Sequence, residues 1–165
     1  LDPAYRTKNT FVDSLEELLL VKGMTIDVFQ KLREYITVFP QSGHLKINFD
    51  TASKEVLQAL ASTFTGSKSN TEPEDALSLV EKMLVYRVGE DGASFTDDDR
   101  MIDMNALALN AKEKVLFLLM SVHRTKLSNY FHAHVKGVED HLGSEATIDA
   151  IIQRHDLSIV YWNRK

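Results

Sequence analysis

Residues 129–136 read Asn-Tyr-Phe-His-Ala-His-Val-Lys, and at this stretch the chain changes its hydrophobic period. Asn129, Phe131, Ala133 and Val135 alternate with Tyr130, His132, His134 and Lys136, the period of two that a half-buried strand requires. Downstream, 147–154 and 157–162 are rich in Ile, Val, Tyr and Trp and are parted only by His155-Asp156. Three strands in succession with short turns predict an antiparallel meander.

Upstream the period is helical. Ser14-x-x-Glu17 is a capping box followed by Leu15, Leu18, Leu19 and Val21, which predicts a helix over 14–22 stopped by Gly23. A second helix, from Thr25 or Asp27, is expected to bury Ile26, Phe29, Leu32, Tyr35 and Ile36 before the turn Pro40-Gln41-Ser42-Gly43. Only Lys22-Gly23-Met24 separates the two, so they form a tight helical hairpin. Asp50 or Thr51 is expected to cap a third helix with Val56, Leu57 and Leu60 facing inward, and the Gly/Ser/Thr-rich 63–71 is expected to be the least ordered stretch. Pro73 opens a fourth helix through Leu77, Val80, Met83, Leu84 and Arg87, closed by Gly89. A fifth helix is predicted from about residue 106 to 122. Helices first and strands last make an α+β chain, with a helical domain over 1–110 and a C-terminal helix plus β-meander over 111–165.

The 165 residues include no Cys, which excludes a zinc ribbon, a disulfide scaffold and thiol catalysis. The longest apolar run, 115–120, is far too short to cross a bilayer. The chain begins Leu1-Asp2-Pro3, without an initiator Met or the pattern of a signal peptide, and reads as a piece of a longer polypeptide. Its net charge is −5. Residues 1–60 carry 7 basic and 8 acidic side chains, 61–110 carry 4 and 10, and 111–165 carry 8 and 6. The acidity is therefore concentrated in the middle, and no segment offers the basic stripe expected of a nucleic-acid-binding domain.

The two helical pairs, one around Lys22-Gly23-Met24 and one beginning at Asp50-Thr51-Ala52-Ser53, have the outline of a helix-hairpin-helix module. Such a module brings a Gly-apolar-Gly turn close to a phosphate. Here the first turn is Gly23-Met24-Thr25 and the second helix runs into Ala61-Ser62-Thr63-Phe64, so neither has the glycine pair. His132 and His134 share a strand face, with His123 and His141 near in sequence, a pattern compatible with zinc or copper but lacking an evident carboxylate to orient the rings. Glu90, Asp91, Asp97, Asp98, Asp99 and Asp103 offer oxygens for calcium, with Asp91, Asp97, Asp99 and Asp103 as the candidate ligands. Arg100 and Met101 break the EF-hand pattern, and the ordinary alternative is a solvated acidic loop. There is no Gly-x-Ser-x-Gly elbow, P-loop, Gly-x-Gly-x-x-Gly or His-Glu-x-x-His, so no catalytic residue is assigned. Asp140-His141 and His155-Asp156 read as turns, and Tyr161 and Trp162 as core and rim of the sheet.

From Pro3 to Leu60 the sequence resembles the general secretion pathway protein K family, the large minor pseudopilin of bacterial type II secretion. The segment AYRTKNTFVDSLEELLLVKGMTIDVFQKLREYITVFP (4–40) is similar to the family's Ser-Leu-x-Glu-Leu helix, Val-x-Gly hairpin and Tyr-x-Thr-Val turn. LKINFDTASKEVLQAL (45–60) is similar to its Ile-Asn-Val-Asn-Thr-Ala-Ser block at Ile47, Asn48, Thr51, Ala52, Ser53, Val56 and Leu57, with Asp50 in place of the second Asn. Weaker similarity continues through Phe95, Ser128-Asn129-Tyr130-Phe131, Arg154 and Trp162. The resemblance implies a helical, helix-hairpin-helix-like (SAM-like) domain inserted into a pseudopilin α/β fold whose sheet is the meander. It also implies a non-catalytic cap of the pseudopilus tip, in complex with the minor pseudopilins I and J. It further implies calcium binding, without naming ligands, and no required cofactor or nucleic acid. The location it implies is a periplasmic domain of an inner-membrane-anchored protein, reached through an N-terminal helix outside this chain. The competing expectation is a DNA-binding module of an envelope competence-like protein.

Overall fold

The computed structural model describes residues 9–139 and 143–164. The chain divides into two compact units, Leu1–Lys126 and Leu127–Lys165. The first is helical and the second is an antiparallel sheet, so the architecture is α+β, as the change of period predicts.

The helical unit begins with a 3-10 helix over Leu15–Leu20, not the predicted α-helix. The Ser14 hydroxyl caps nothing, and Glu17 Oε1 accepts the amide of Asp13 at 3.0 Å, one residue before the cap, so the reciprocal pair of a capping box is not made. Gly23, at φ +94°, turns the chain into α1 (Ile26–Leu32), whose Thr25 Oγ1 accepts the amide of Val28 at 3.2 Å. Of the residues expected to be buried by α1 only Phe29 is; Ile26, Leu32 and Tyr35 remain exposed. A single 3-10 helix packs against α1, which is too little surface to cover an amphipathic helix on its full apolar side.

The core of the unit is built by α2 (Lys54–Ser62), α3 (Pro73–Arg87) and α4 (Ala111–Ser121). Ser53, not Asp50 or Thr51, caps α2 by accepting the amide of Val56 at 3.3 Å. Pro73 opens α3 at its first turn, where its missing N–H leaves no gap, and the Asp75 carboxylate accepts the amide of Glu72 at 2.8 Å. Asn110 and Glu113 close a reciprocal capping box at 2.9 and 2.7 Å, which fixes the start of α4 at Ala111 instead of near 106. Residues 106–110 approach as irregular chain that still places Leu107 and Leu109 in the core. Phe49, Leu57, Leu79, Val80, Met83, Leu116 and Met120 are fully sealed from solvent, and Phe117 meets Phe49 edge to face with ring centroids 6.2 Å apart. The sequence groups α4 with the strands; its packing joins it to α2 and α3, so the compact helical unit runs to Lys126.

Two further features of this unit are non-local. β1 (Ile47–Asn48) pairs in parallel with β2 (Arg124–Thr125), a ladder too short to announce itself by period. Residues 63–71, expected to be the least ordered, form a bonded loop. Gly66 and Thr71 make an antiparallel bridge, and the Ser69 hydroxyl lies 2.6 Å from the carbonyl of Phe64 and 2.7 Å from the hydroxyl of a buried Thr71.

The second unit is the predicted meander, β3 (Tyr130–Glu139), β4 (Ser144–Gln153) and β5 (Ile159–Arg164) in that order. The register sets Phe131 opposite Ile152, His134 opposite Asp149 and Ala150 opposite Trp162, with a bulge between Ile151 and Ile152. Phe131, Val135, Ile148 and Trp162 share one face by strand alternation and are all exposed.

Candidate functional site

The acidic loop leaves α3 at Gly89, whose φ of +67° lies in the left-handed region open to glycine. A Cβ there would collide with the carboxylate of Asp98, so the position demands glycine twice over. That carboxylate organises the loop base. Asp98 Oδ2 accepts the amides of Glu90 at 2.6 Å and Asp91 at 3.2 Å, while Oδ1 accepts the Thr96 hydroxyl at 2.8 Å. These donors, the Glu90 amide first, hold its carboxyl below the usual aspartate range. Asp91 Oδ1 accepts the amide of Ala93 at 2.8 Å, Asp99 Oδ2 that of Phe95 at 2.6 Å, and Asp103 Oδ1 that of Asn105 at 3.0 Å. Arg100 pairs with Glu90 at 3.0 Å and donates its amide to the carbonyl of Arg87.

Of the residues put forward for calcium, Asp91, Asp99 and Asp103 thus each accept a different local backbone amide, and Asp97 is exposed. Among the described residues no three His, Asp or Glu side chains gather into a group able to hold a metal ion. Calcium wants six to eight converging oxygens, and the carboxylates as placed do not converge. At the tip, Phe95 has φ +67°, a conformation that costs a non-glycine residue about 1–3 kcal/mol, and its side chain is 91% exposed.

A second polar cluster is buried. Glu113 is fully enclosed, with Lys82 Nζ at 2.7 and 2.8 Å, the Ser78 hydroxyl at 2.7 Å and the Asn110 amide at 2.7 Å. Burial alone would raise its pKa, but the donated bonds from Lys82, Ser78 and Asn110 outweigh it and the net shift is downward. Nearby, Asp50 Oδ1 accepts the amide of Ile102 at 2.7 Å and faces Arg124 at 3.6 Å, instead of capping α2. Arg124 donates to the carbonyl of Ile102 at 2.6 Å and lies over the Phe49 ring; Arg87 donates to the carbonyl of Ala52 at 2.6 Å. The Ile-Asn-Phe-Asp motif is thereby the hub that ties α2, α3 and the 102 segment together.

On the sheet, the carboxylate that sequence reasoning did not find for the histidines is Asp149. Its Oδ1 is 2.6 Å from His134 Nδ1 and 3.3 Å from His132 Nε2. One shared oxygen between two rings orients them without making a metal group. His123 belongs to the helical unit, where it lies against Phe64, and His141 lies outside the described residues. An open cavity of about 320 Å³ is lined by Phe11, Leu15, Leu18, Ile36, Val38 and Pro40. No helix among the described residues is long and apolar enough to cross a membrane.

Fold and surfaces together define an α+β protein with a helical unit, a small antiparallel sheet and prominent exposed apolar side chains on both. Residues 1–41, which include the 3-10 helix and α1, match the family described as type II secretion system (T2SS), protein K. The match covers roughly a quarter of the chain and supports a component of type II secretion. No curated protein and no solved structure matches the chain.

Proposed function

We propose that the chain is part of a non-catalytic minor pseudopilin that caps the tip of the type II secretion pseudopilus and so assists protein export across the outer membrane. The observation that carries this is the match of residues 1–41 to type II secretion protein K. Its partners are the I- and J-type minor pseudopilins, and it acts as the periplasmic domain of a protein held in the inner membrane by an N-terminal helix. A cap requires bulk and surfaces that fit its neighbours, not reactive groups. The helical unit supplies the bulk, and the uncovered apolar side chains of the sheet are of the kind that mark contact surfaces. In the host, removal of the coding segment should leave type II cargo trapped in the periplasm, with export restored by the wild-type gene. Undiminished export would overturn the proposal.

A further inference from the structure

We infer that Phe95 is a preorganised anchor for a protein partner whose apolar pocket is edged by lysine or arginine side chains. At 91% exposure it is the most exposed large hydrophobic residue among those described, and Met101, 71% exposed, lies six residues further on. Leu157 shares a positive φ, but it lies in the turn between β4 and β5, where left-handed backbone suits the twist of the strands. Phe95 belongs to no hairpin. Its backbone is held instead by side chains: Asp99 accepts its amide, Asp98 ties 90, 91 and 96 together, and Arg100 closes the base on Glu90. The ring is therefore presented on a fixed support and not folded back onto the surface.

An aromatic side chain has few rotamers to lose on binding, which makes a rigidly held one an efficient anchor. The charge around it selects the partner. Glu90, Asp91, Asp97, Asp98 and Asp99 stand within five residues of it, against the two cations Arg87 and Arg100, so the surroundings carry a net negative charge. Anionic phospholipid headgroups and nucleic acid would be repelled, whereas a basic rim would be attracted and aligned.

The test rests on the pseudopilin reading for its probe: the soluble domains of the I- and J-type minor pseudopilins of the same secretion system, titrated with the chain in a calorimeter. Phe95→Ala should weaken binding about 30-fold. Phe95→Gly should weaken it as much while melting at the same or a higher temperature, since glycine accepts the positive φ without strain. Asp97→Asn should weaken binding a few-fold and flatten its dependence on salt between about 50 and 300 mM. Wild-type binding that survives Phe95→Gly overturns the anchor alone. Failure of the wild-type chain to bind overturns the pseudopilin reading and the anchor with it. Binding to phosphatidylglycerol vesicles that Phe95→Gly abolishes would make the partner a membrane and overturn the basic pocket.

Discussion

The helical unit and the sheet unit solve the burial problem differently. In the first, α2, α3 and α4 close a core of their own around Phe49, Leu79, Met83 and Leu116. In the second, β3 and β4 pair over ten residues without a break and the six-residue β5 joins β4 across a bulge, yet Phe131, Val135, Ile148 and Trp162 stay exposed. Apolar residues recur at the element's own period in both. A period therefore specifies which element forms and which face is apolar; it carries no statement about what will cover that face. Backbone pairing alone can define a meander, but an uncovered apolar face contributes little to its stability.

The largest expected effect lies in the closed core. Leu79→Ala should lower the stability of the helical unit by about 2–5 kcal/mol in urea denaturation, since Leu79 is fully enclosed and its truncation removes buried apolar contacts from a closed core. A loss no greater than that of a surface substitution would erase the contrast between the units. Next comes the buried carboxylate. Glu113→Gln removes the charged partner of Lys82 and should cost about 1–3 kcal/mol. Because folding holds the Glu113 pKa below its ordinary value, its contribution is present above the unfolded pKa and is lost as pH falls through the folded one. Unfolding followed by helical circular dichroism below about pH 4 should therefore be less steep in pH for Glu113→Gln than for the wild type. Gly89→Ala should cost about 1–2 kcal/mol and shift the melting temperature down, because the new methyl meets Asp98 and the φ is positive. The smallest effect belongs to the open face, where Trp162→Ser should change stability by less than about 0.5 kcal/mol. A large loss there would show that the sheet is covered after all.

Local chemistry was the legible part of the fold. Pro73 and Gly89 bound α3, and alternation from Tyr130 onward marked β3, because each signal lies in the residues that form the element. The misplaced start of α4 had its own signal in Asn110-x-x-Glu113, which the apolar Ala106 and Leu107 obscured. What could not be read depended on distant partners. Asp149 lies fifteen residues from His134 and meets it only through strand register. Asp50 resembles a helix cap in sequence, but its acceptor role is set by Ile102 and Arg124 after the chain has folded back. In the acidic loop the residue types were legible and their bonding was not: the backbone amides of Glu90, Phe95 and Asn105 are donated to Asp98, Asp99 and Asp103, bonds that only the folded loop sets.

The assembly role rests on whether this chain joins other pilus-tip subunits, and light scattering during size-exclusion chromatography tests it directly. Mixed with the soluble domains of the I- and J-type minor pseudopilins, the chain should elute in one species whose mass is the sum of the three. Three separate species at concentrations well above those of the cell envelope would contradict it.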